Sequence, residues 1–536
     1  MSEKPLVEVS TIDRDAPVHG LASARPVLAL TIVSHPMARR AGERVLLEEL
    51  EVGQEASVSR SSPDFGRPGQ AMGRPLADPF LSRKPLWLQP MPGGGVRLRA
   101  SESGLRVVVA GEPLLTEREL PLEALERGVP LELSERVVVL LHRTPGETAP
   151  GEDLGMVGQS GGMRRVREDI ARVADLDMPV LIRGETGAGK ELVARALHQR
   201  SPRHRGRFVS VNMGALPKEL AAAELFGARR GAYTGANQDR EGFFQAAHGG
   251  TLFLDEVGEA SPEVQVLLLR VLETREVYPV GGHAPVPVDV RLVAATDANL
   301  EEQIQEGLFK APLLHRLAGY EIHVPPLRER REDIGPLFLS FARQELEVTG
   351  EAWRLEQENP QAAPWLPASL AARLVRYAWP GNIRQLRNLA RQLVVRSRGQ
   401  PCLQADPRLE QELEGGAVPM SSQALAPALP EARAAPGTPR RKASEVGGQE
   451  LLSALRESGW DLKAAASRLG ISRASLYDLI ERSPHVRTSK DLSPEEVTRC
   501  FHECQGDLES MVQRLEVSKR GLLRRVRELG LDASLP

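Results

Sequence analysis

The alternation of apolar and polar residues changes character along the chain. Between residues 25 and 145, short apolar runs follow a period of two and are broken by Gly and Pro, as at Leu28, Leu30 and Ile32. Short strands separated by turn signals predict a β-sandwich or a barrel. From residue 155 to 325, apolar runs such as PVLIRG, TLFLDE and VRLVAAT alternate with helical stretches. That order indicates a mostly parallel sheet flanked by helices.

The rest of the chain is predicted to be helical, with one interruption. Residues 326–398 have a helical pattern, whereas residues 399–448 mix Pro, Ala, Gly and Ser without apolar periodicity, which predicts a flexible linker. Beyond the linker the sequence repeats itself. DLKAAASRLGISRASLY, from Asp461, aligns without gaps with DLESMVQRLEVSKRGLL, from Asp507, at an offset of 46 residues. We expect two helical units, at 449–484 and 492–533.

An apolar strand, the sequence GETGAGKE and a helical stretch follow one another from Pro179. The spacing Gly-x4-Gly-Lys between a strand and a helix is typical of a P-loop. Its glycines let backbone N–H groups turn towards phosphate oxygens, and the helix N-terminus adds partial positive charge. We expect Lys190 to reach the β and γ phosphates of ATP. The expected ATP-binding residues of the loop are Gly184, Glu185, Thr186, Gly187, Ala188, Gly189, Lys190 and Glu191.

A second apolar run, GGTLFLDE, ends in the carboxylates Asp255 and Glu256. They are expected at the carboxyl edge of the sheet, where open α/β folds bind ligands. Glu191 stands where a Ser or Thr usually contacts Mg²⁺, so the metal must use another group. Asp255 suits the Mg²⁺ contact, and Glu256 suits orientation of the attacking water.

The bulk composition limits the class of protein. The chain has 69 basic and 72 acidic side chains, a net charge of -3, so any nucleic-acid site must be local. No apolar run approaches a membrane span, the N-terminus lacks the order of a signal peptide, and three cysteines cannot form a disulfide framework. We expect a cytoplasmic protein with no membrane contact. Cys500 and Cys504 are expected to be buried on a helix rather than to bind metal with His502.

Five motifs, in order, resemble the AAA+ domain of sigma-54-dependent transcriptional activators: GETGAGKE, ELFG…GAYTGA, GGTLFLDE, VPPLRER and WPGNIRQLRN. The resemblance covers residues 155–398. It implies an α/β AAA+ P-loop ATPase subdomain at 155–325 and a helical lid at 326–398. It further implies a hexameric or heptameric ring that hydrolyses ATP with Mg²⁺ and remodels the closed promoter complex of sigma-54 RNA polymerase.

The resemblance also implies roles for individual residues. GAYTGA corresponds to the loop that ATP hydrolysis raises to contact sigma-54, with Tyr233 and Thr234 touching the partner. The loop consists of Gly231, Ala232, Tyr233, Thr234, Gly235 and Ala236. Asn212 corresponds to a switch Asn that exchanges partners with Glu256. Arg384 corresponds to the lid arginine that senses the nucleotide, and Arg316 to an arginine finger offered to the neighbouring subunit.

This sequence departs from the family pattern at several of these positions. Lys310 stands at the other finger position and keeps the charge without the planar fork of donors. Pro312 stands where an acidic residue is usual, and Asp297 replaces the commoner sensor Asn. Arg229 replaces an acidic residue just before GAYTGA. These departures bear on the hydrolysis rate and leave the nucleotide site intact.

Residues 25–145 resemble a forkhead-associated domain, which implies a sensory β-sandwich with a phosphothreonine protein as its partner. Ser82 and Arg83 match part of the expected loop, whereas Lys84 and Pro85 replace its His pattern. An Arg expected after Gly53 and an Asn expected before Gly111 are missing.

The repeated C-terminal units resemble Fis-type helix-turn-helix units, whose second helix enters the major groove and would here bind enhancer DNA. Ser472 is expected to cap that helix in the first copy. The second copy gathers basic residues on a near-neutral chain. The expected DNA-binding residues are Ser472, Arg473, Ser475, Lys519, Arg520 and Arg524.

Three functions fit these observations to different degrees. The first is an ATP-driven activator of sigma-54 polymerase, favoured by Lys190, Asp255 and Glu256. The second is a DNA-binding scaffold that binds ATP but hydrolyses it poorly, favoured by Lys310, Pro312 and Asp297. A chaperone or protease subunit is disfavoured by GAYTGA and by the helix-turn-helix ending.

Overall fold

The structure, a computed structural model, describes residues 26–69, 72–101, 104–146, 152–232, 238–356, 359, 361–416, 448–458, 460, 465, 468–469, 476, 479–480, 492–504, 507–517, 522, 525–526 and 529. The chain divides into two compact units, the first ending at Gln423 and the second beginning at Ala424. Within the described residues, no helix combines the length and the hydropathy that a membrane span requires.

The N-terminal part of the first unit is made of short antiparallel strands with two short helices. One sheet has the order β2-β1-β10-β9-β6-β7, and the other has the order β3-β4-β5-β8. Side chains from both sheets bury one hydrophobic cluster between them. The strands are β1 Pro26–Ser34, β2 Arg44–Leu46, β3 Ala56–Val58, β4 Leu86–Pro90, β5 Val96–Arg99, β6 Val107–Val109, β7 Glu112–Pro113, β8 Glu117–Leu120, β9 Val129–Leu133 and β10 Val137–Pro145, and the helices are α1 Glu48–Glu51 and α2 Leu122–Arg127.

The central part of the first unit is a parallel sheet with helices around it. The sheet order is β12-β13-β16-β11-β17. The strands of this part are β11 Val180–Arg183, β12 Phe208–Asn212, β13 Thr251–Asp255, β14 Glu276–Val277, β15 Val286–Pro287, β16 Arg291–Thr296 and β17 Tyr320–His323. The helices are α3 Gly161–Val173, α4 Lys190–Arg200, α5 Lys218–Phe226, α6 Phe243–Ala246, α7 Pro262–Thr274, α8 Leu300–Gln305 and α9 Ala311–Leu317. The strands are apolar because both faces of the sheet are covered, which is the rule for parallel sheets.

The helices that complete the first unit are α10 Ile334–Thr349, α11 Ala368–Arg376, α12 Asn382–Arg396 and α13 Pro407–Gly415. Helix α13 corrects the predicted linker at 399–448, because it lies inside that range and is capped at its start by Asp406. Leu403 and Leu413 are buried in the same cluster as α10, α11 and α12. The sequence pattern did not predict this helix because α13 has few apolar residues. Those residues are buried only by helices that are far away in the chain.

The N-terminal sheet and the lid helices share one hydrophobic core. Val33 of β1 and Val138 and Leu140 of β10 belong to the cluster that the lid helices bury. The backbones approach closely, since a Cβ on Gly335 would lie 2.4 Å from the carbonyl oxygen of Val33. Strand β1 is therefore buried on both faces, one against the other N-terminal sheet and one against the lid.

The second unit contains the described helices α14 Gly448–Glu457, α15 Pro494–Glu503 and α16 Leu508–Leu515. Cys500 is buried in the core of this unit, Cys504 packs against that core, and His502 is exposed. Burial raises the pKa of the Cys500 thiol to about 11, so it is a protonated, apolar side chain at neutral pH.

Candidate active site

The P-loop connects the carboxyl end of β11 to the start of α4. The Gly184 amide donates to the carbonyl oxygen of Thr296 at 3.2 Å, which ties the start of the loop to the neighbouring strand β16. Gly189 immediately precedes α4, whose first residue is Lys190. Gly187 has a φ of 76°, and a Cβ there would lie 2.6 Å from the carbonyl oxygen of Gly381. Only glycine satisfies both the backbone conformation and this close approach.

Lys190 lies at the centre of the candidate site and is 7% exposed. Its Nζ donates to the carbonyl oxygens of Gly184 at 2.8 Å and Glu185 at 3.4 Å. Burial lowers the pKa of Lys190, and the negative charges of Asp297, Asp255 and Glu256 oppose that shift. The ammonium therefore faces an acidic group of side chains across the loop.

Asp255 and Glu256 follow directly from β13, as expected. Asp255 accepts a hydrogen bond from the Glu256 amide at 3.2 Å, and burial raises the pKa of Asp255 while Lys190 opposes the shift. Glu256 has φ 56° and ψ 47°, a left-handed conformation that is uncommon for a residue with a side chain. Non-glycine residues held in this region occur at functional sites, where the surrounding structure enforces the strain.

Asn212 ends β12 beside Asp255, its partner in the sheet register. The Asn212 Oδ1 accepts from the Ala215 amide at 3.0 Å. Glu256 Oε2 and Asn212 Oδ1 lie 3.0 and 3.4 Å from the position that a Cβ on Gly214 would take. Asn212 and Glu256 are thus neighbours across a glycine that leaves room for both side chains.

Asp297 follows β16 and accepts a short hydrogen bond from the Thr186 hydroxyl. An Asn at this position could accept the same hydrogen bond through its amide oxygen, without the negative charge. Asp297 thus joins the sensor position to the P-loop and adds a carboxylate beside the phosphate-binding residues.

Glu191 is exposed and has its ion-pair partner on α4 itself. Its carboxylate forms an exposed ion pair with Arg195, four residues later on α4, at 2.7 Å. An i, i+4 pair of this kind stabilises the helix by only a few tenths of a kcal/mol. In this structure the acidic groups facing Lys190 come instead from β13 and β16.

The lid holds the P-loop through Glu185. Arg328 donates two hydrogen bonds to the Glu185 carboxylate, at 2.8 and 2.6 Å, and Asn382 Nδ2 donates a third at 3.0 Å. The hydrogen bonds from Arg328 lower the pKa of Glu185 most, and the bond from Asn382 lowers it further. Asn382 also donates to the Thr186 carbonyl at 3.2 Å and accepts from the Leu327 amide at 2.8 Å.

Two further contacts continue this link between lid and loop. Arg330, which is 1% exposed, donates to the carbonyl oxygen of Ala188 at 2.8 Å. The Ile383 amide donates to the Gly187 carbonyl at 3.0 Å. Arg384 is exposed, and its Cβ lies 3.1 Å from the position of a Cβ on Gly187. The lid arginine predicted to sense the nucleotide therefore stands beside the P-loop.

Sequence reasoning missed the roles of Arg328, Arg330 and Asn382. The signal was present, because these residues lie inside the motifs VPPLRER and WPGNIRQLRN, yet neither motif carries an obvious chemical pattern. Their partners in the P-loop are more than 140 positions away and become visible only in the fold.

The candidate finger residues lie on one helix at the edge of the central part. Lys310 caps the start of α9, and its amide donates to Gln265 Oε1 at 2.9 Å. Pro312 occupies the first turn of α9, where a missing N–H costs no helical hydrogen bond. Arg316 is exposed and pairs with Glu273 of α7 at 3.6 Å. Both cations are accessible on the surface of the monomer.

The base of the GAYTGA segment is closed by an ion pair. The Arg229 guanidinium pairs with the Asp239 carboxylate, which also accepts from the Arg230 amide at 2.9 Å. Ala228 bridges both Arg240 and Val280. Gly231 and Ala232 are described, whereas Tyr233, Thr234, Gly235 and Ala236 lie outside the described residues. The unusual Arg229 thus has an acidic partner at the opposite end of the segment.

In the N-terminal part, Arg60 lies beside the loop that carries Ser82. The Arg60 amide donates to the Ser82 carbonyl at 3.1 Å, and its Nη1 donates to the Pro79 carbonyl at 3.4 Å. Arg60 follows β3, and no pattern in the sequence marked it out. The expected DNA-binding residues Ser472, Arg473, Ser475, Lys519, Arg520 and Arg524 all lie outside the described residues.

Comparison with known proteins gives matches to three family models. The Sigma-54 interaction domain matches residues 156–323, the AAA+ ATPase lid domain matches 328–423, and the Fis family of bacterial regulatory proteins matches 444–480. The lid match extends past residue 398, in agreement with the position of α13.

Curated relatives match over different lengths. The DNA-binding transcriptional regulator NtrC of Salmonella typhimurium is 49% identical over 280 residues, which are 52% of this chain and 56% of that protein. The transcriptional regulatory protein ZraR of Klebsiella oxytoca is 40% identical over 356 residues, 66% of this chain and 74% of that protein. NtrC of Azospirillum brasilense is 34% identical over 456 residues, 81% of this chain and 85% of that protein.

The aligned region spans little more than half the length of the Salmonella relative, but it extends over most of the other two. The matched models lie in the order expected from the sequence motifs, with the nucleotide site inside the first of them. The chain therefore belongs to the family of NtrC-type, sigma-54-dependent transcriptional activators.

Proposed function

We propose that this chain binds enhancer DNA and uses ATP hydrolysis to remodel the closed complex of sigma-54 RNA polymerase. The observation that carries the proposal is the cluster around Lys190, in which a buried ammonium faces Asp255 and Glu256 at the end of a P-loop.

Each residue of the candidate site would have its own role in ATP binding or hydrolysis. Lys190 would exchange its carbonyl partners for the β and γ phosphates of ATP. Glu256 would orient the attacking water, and Asn212 would hold Glu256 away from it before hydrolysis. Arg316 would reach the ATP of a neighbouring subunit in a hexameric or heptameric ring, and Lys310 would provide a second cation there.

The residues present fit Mg²⁺, which was implied by the family resemblance. Asp255 is a half-buried carboxylate whose pKa is raised by burial, so a nearby cation would favour its charged form. Asp255 would hold the ion, which would neutralise charge on the phosphates.

The mechanical output would come from residues 231–236, whose tip would contact sigma-54. The ends of this segment are fixed by Arg229 and Asp239, and its base bridges to Val280. A segment with fixed ends and no catalytic side chain suits a contact that moves with the state of the nucleotide site.

The decisive experiment is open-complex formation by purified protein, sigma-54 polymerase and ATP on a supercoiled promoter. Polymerase carrying a different sigma factor is the control. Thr234→Ala should retain ATPase activity and lose open complexes, because Thr234 carries no catalytic group. Open complexes at the wild-type rate with Thr234→Ala would contradict the role of the loop.

A second candidate function is a DNA-binding scaffold that binds ATP and hydrolyses it poorly. The hydrogen bond between Thr186 and Asp297 favours it, since the extra carboxylate lies where negative charge must accumulate during hydrolysis. Steady-state phosphate release distinguishes the two, because the scaffold would show nucleotide binding with no promoter-stimulated turnover.

We also propose that residues 25–145 form a forkhead-associated β-sandwich that binds a phosphothreonine protein. Arg60 supports this proposal, because its guanidinium bonds the Pro79 carbonyl and so lies beside the Ser82 loop, where a phosphate would need a cation. A phosphothreonine peptide library should bind the wild type, Arg60→Ala should lose that binding, and the exposed Arg99→Ala should keep it. Equal binding of the unphosphorylated library would contradict phosphate recognition.

A further inference from the structure

The second C-terminal copy reproduces the local structure of the first. Helices α14, Gly448–Glu457, and α15, Pro494–Glu503, start and end at positions 46 residues apart, which is the offset of the sequence repeat. The Fis family model matches only residues 444–480, so it leaves the second copy unassigned.

The same positions are buried in both copies. Leu451, Leu455 and Leu469 of the first copy correspond to Val497, Phe501 and Leu515 of the second, and all six belong to the core of this unit. An apolar pattern conserved at a fixed offset indicates that the two copies fold in the same way.

An ion pair is repeated at the same offset. Arg468 pairs with Glu457 in the first copy, and Arg514 pairs with Glu503 in the second. In each copy the pair joins the last residue of the first helix, Glu457 or Glu503, to an arginine eleven positions later. Because an exposed pair contributes little stability, its value here is as a marker of equivalent geometry.

The two copies are also joined to each other. Their buried residues form one hydrophobic cluster, and Arg456 of the first copy donates two hydrogen bonds to Glu516 of the second, at 2.7 and 3.0 Å. The positions equivalent to this pair hold His502 and Gly470, which cannot form it. The ion pair between the copies therefore forms only once, from Arg456 of the first copy to Glu516 of the second, and has no symmetry-related equivalent among these residues.

We infer that the second copy is a second DNA-binding unit, and that the two copies engage one duplex as a single body. The inference rests on the proposed DNA binding of the first copy. Its charge supports DNA rather than protein as the partner, since the sequence after α16 carries Lys519, Arg520, Arg524, Arg525 and Arg527. One chain would then present two readers, an arrangement that other helix-turn-helix proteins reach by pairing two chains.

The first test is the salt dependence of binding by the full chain. A random 40-base-pair duplex library is selected for binding without nucleotide, and the selected duplexes serve as the probe. The triple variant Lys519→Ala, Arg520→Ala and Arg524→Ala should reduce the slope of log K against log salt by up to about 3. The matched control removes three exposed lid cations, Arg387, Arg391 and Arg398, and should leave the slope unchanged.

The second test is stoichiometry and site size on the same duplexes. Selected sequences should contain two half-sites for each chain that mass photometry finds on the duplex. One half-site per chain, or an unchanged slope in the triple variant, overturns the inference. An unchanged slope accompanied by loss of self-association would make the second copy a subunit contact instead. If the wild type selects no DNA at all, the proposed function itself fails, which is a different result.

A third measurement tests the fixed contact between the copies. Arg456→Ala should preserve both readers but weaken binding to two-half-site duplexes several-fold, with little effect on a duplex that carries one half-site. Arg499→Ala, an exposed change on α15, is the control. Equal losses on both duplexes would mean that the copies act independently, contrary to the inference.

Discussion

Arg328 donates a hydrogen bond from each terminal nitrogen of its guanidinium to the Glu185 carboxylate, and this contact ties the lid to the P-loop. The two side chains are 38% and 41% exposed, so their coupling should be modest, about 0.5–1 kcal/mol. Arg328→Ala should raise the Kd for ATP roughly 2- to 5-fold, because the loop loses a partner that fixes its shape. A fluorescent ATP analogue measures the change.

The control for this prediction is Arg343→Ala, which breaks an exposed ion pair with Glu356 elsewhere on the lid. It should leave the Kd unaltered. A double-mutant cycle with Glu185→Gln isolates the pair itself, and additive effects of the two changes would contradict direct coupling.

Glu256 is expected to be required for hydrolysis, while its left-handed backbone conformation lowers the stability of the fold. Lys190→Ala should abolish nucleotide binding, whereas Glu256→Gln should bind ATP and fail to hydrolyse it. Because Glu256 has a φ of 56°, Glu256→Gly should also stop hydrolysis while stabilising the fold by up to about 1 kcal/mol relative to Glu256→Ala. Phosphate release and thermal unfolding give the two readouts.

The comparison between Gly and Ala is the control, since both remove the carboxylate and only Gly relieves the backbone. Equal melting temperatures of the two variants would show that the left-handed conformation costs nothing here. ATPase activity of Glu256→Gln at the wild-type level would remove Glu256 from the reaction.

The residues of the nucleotide site that directly follow apolar strands could be predicted from the sequence. Lys190, Asp255 and Glu256 follow apolar strands, and parallel strands bring their carboxyl ends to one edge. Asn382 and Arg328 were not predictable as partners of Glu185, because a polar pair across more than 140 residues leaves no periodic signal. The same holds for α13, whose few buried leucines look like part of a linker until the lid is folded.

Asp297→Asn should increase the rate of ATP hydrolysis several-fold. The amide oxygen can still accept from Thr186, while the negative charge beside the phosphate-binding residues is removed. Steady-state kinetics at saturating ATP and Mg²⁺ measure the effect. Asp239→Asn, a neutralisation outside the nucleotide site, is the control, and a fall in kcat with Asp297→Asn would show that the carboxylate assists the reaction.

Arg229 and Asp239 should tolerate exchange of their charges better than either single reversal. Asp239→Arg places two cations at the base of the loop and should reduce sigma-54-dependent open complexes, with ATPase activity retained. The exchanged pair, Arg229→Asp with Asp239→Arg, should recover much of the activity. No recovery in the double variant would mean that the ion pair does not hold the base of the loop.

Asp333 should give the fold a measurable dependence on pH. It is 2% exposed, and burial, followed by the neighbouring Glu332, raises its pKa to about 6, against the opposing charge of Arg330. Arg167 and His142 also lie within electrostatic range of Asp333. The folded chain therefore keeps this proton between about pH 4 and 6, whereas the unfolded chain releases it.

The free energy of unfolding should accordingly decrease as pH rises through that window, by at most about 1.4 kcal/mol per pH unit from this group. Asp333→Asn should remove that contribution, so its stability relative to wild type should increase from pH 4 to 6 and then level off. Urea unfolding followed by tryptophan fluorescence at several pH values measures it. A constant difference across the window would contradict the raised pKa.

The core shared by the N-terminal sheet and the lid restricts how this protein can be modified. A fragment beginning after β10 would leave the lid side chains that face Val33, Val138 and Leu140 in water. Exposed apolar surface of that kind promotes aggregation, so loss of activity in such a fragment would reflect solubility. Any domain put in place of residues 26–145 must bring a surface that complements α10 and α11, so the N-terminal sheet and the lid can be exchanged only together.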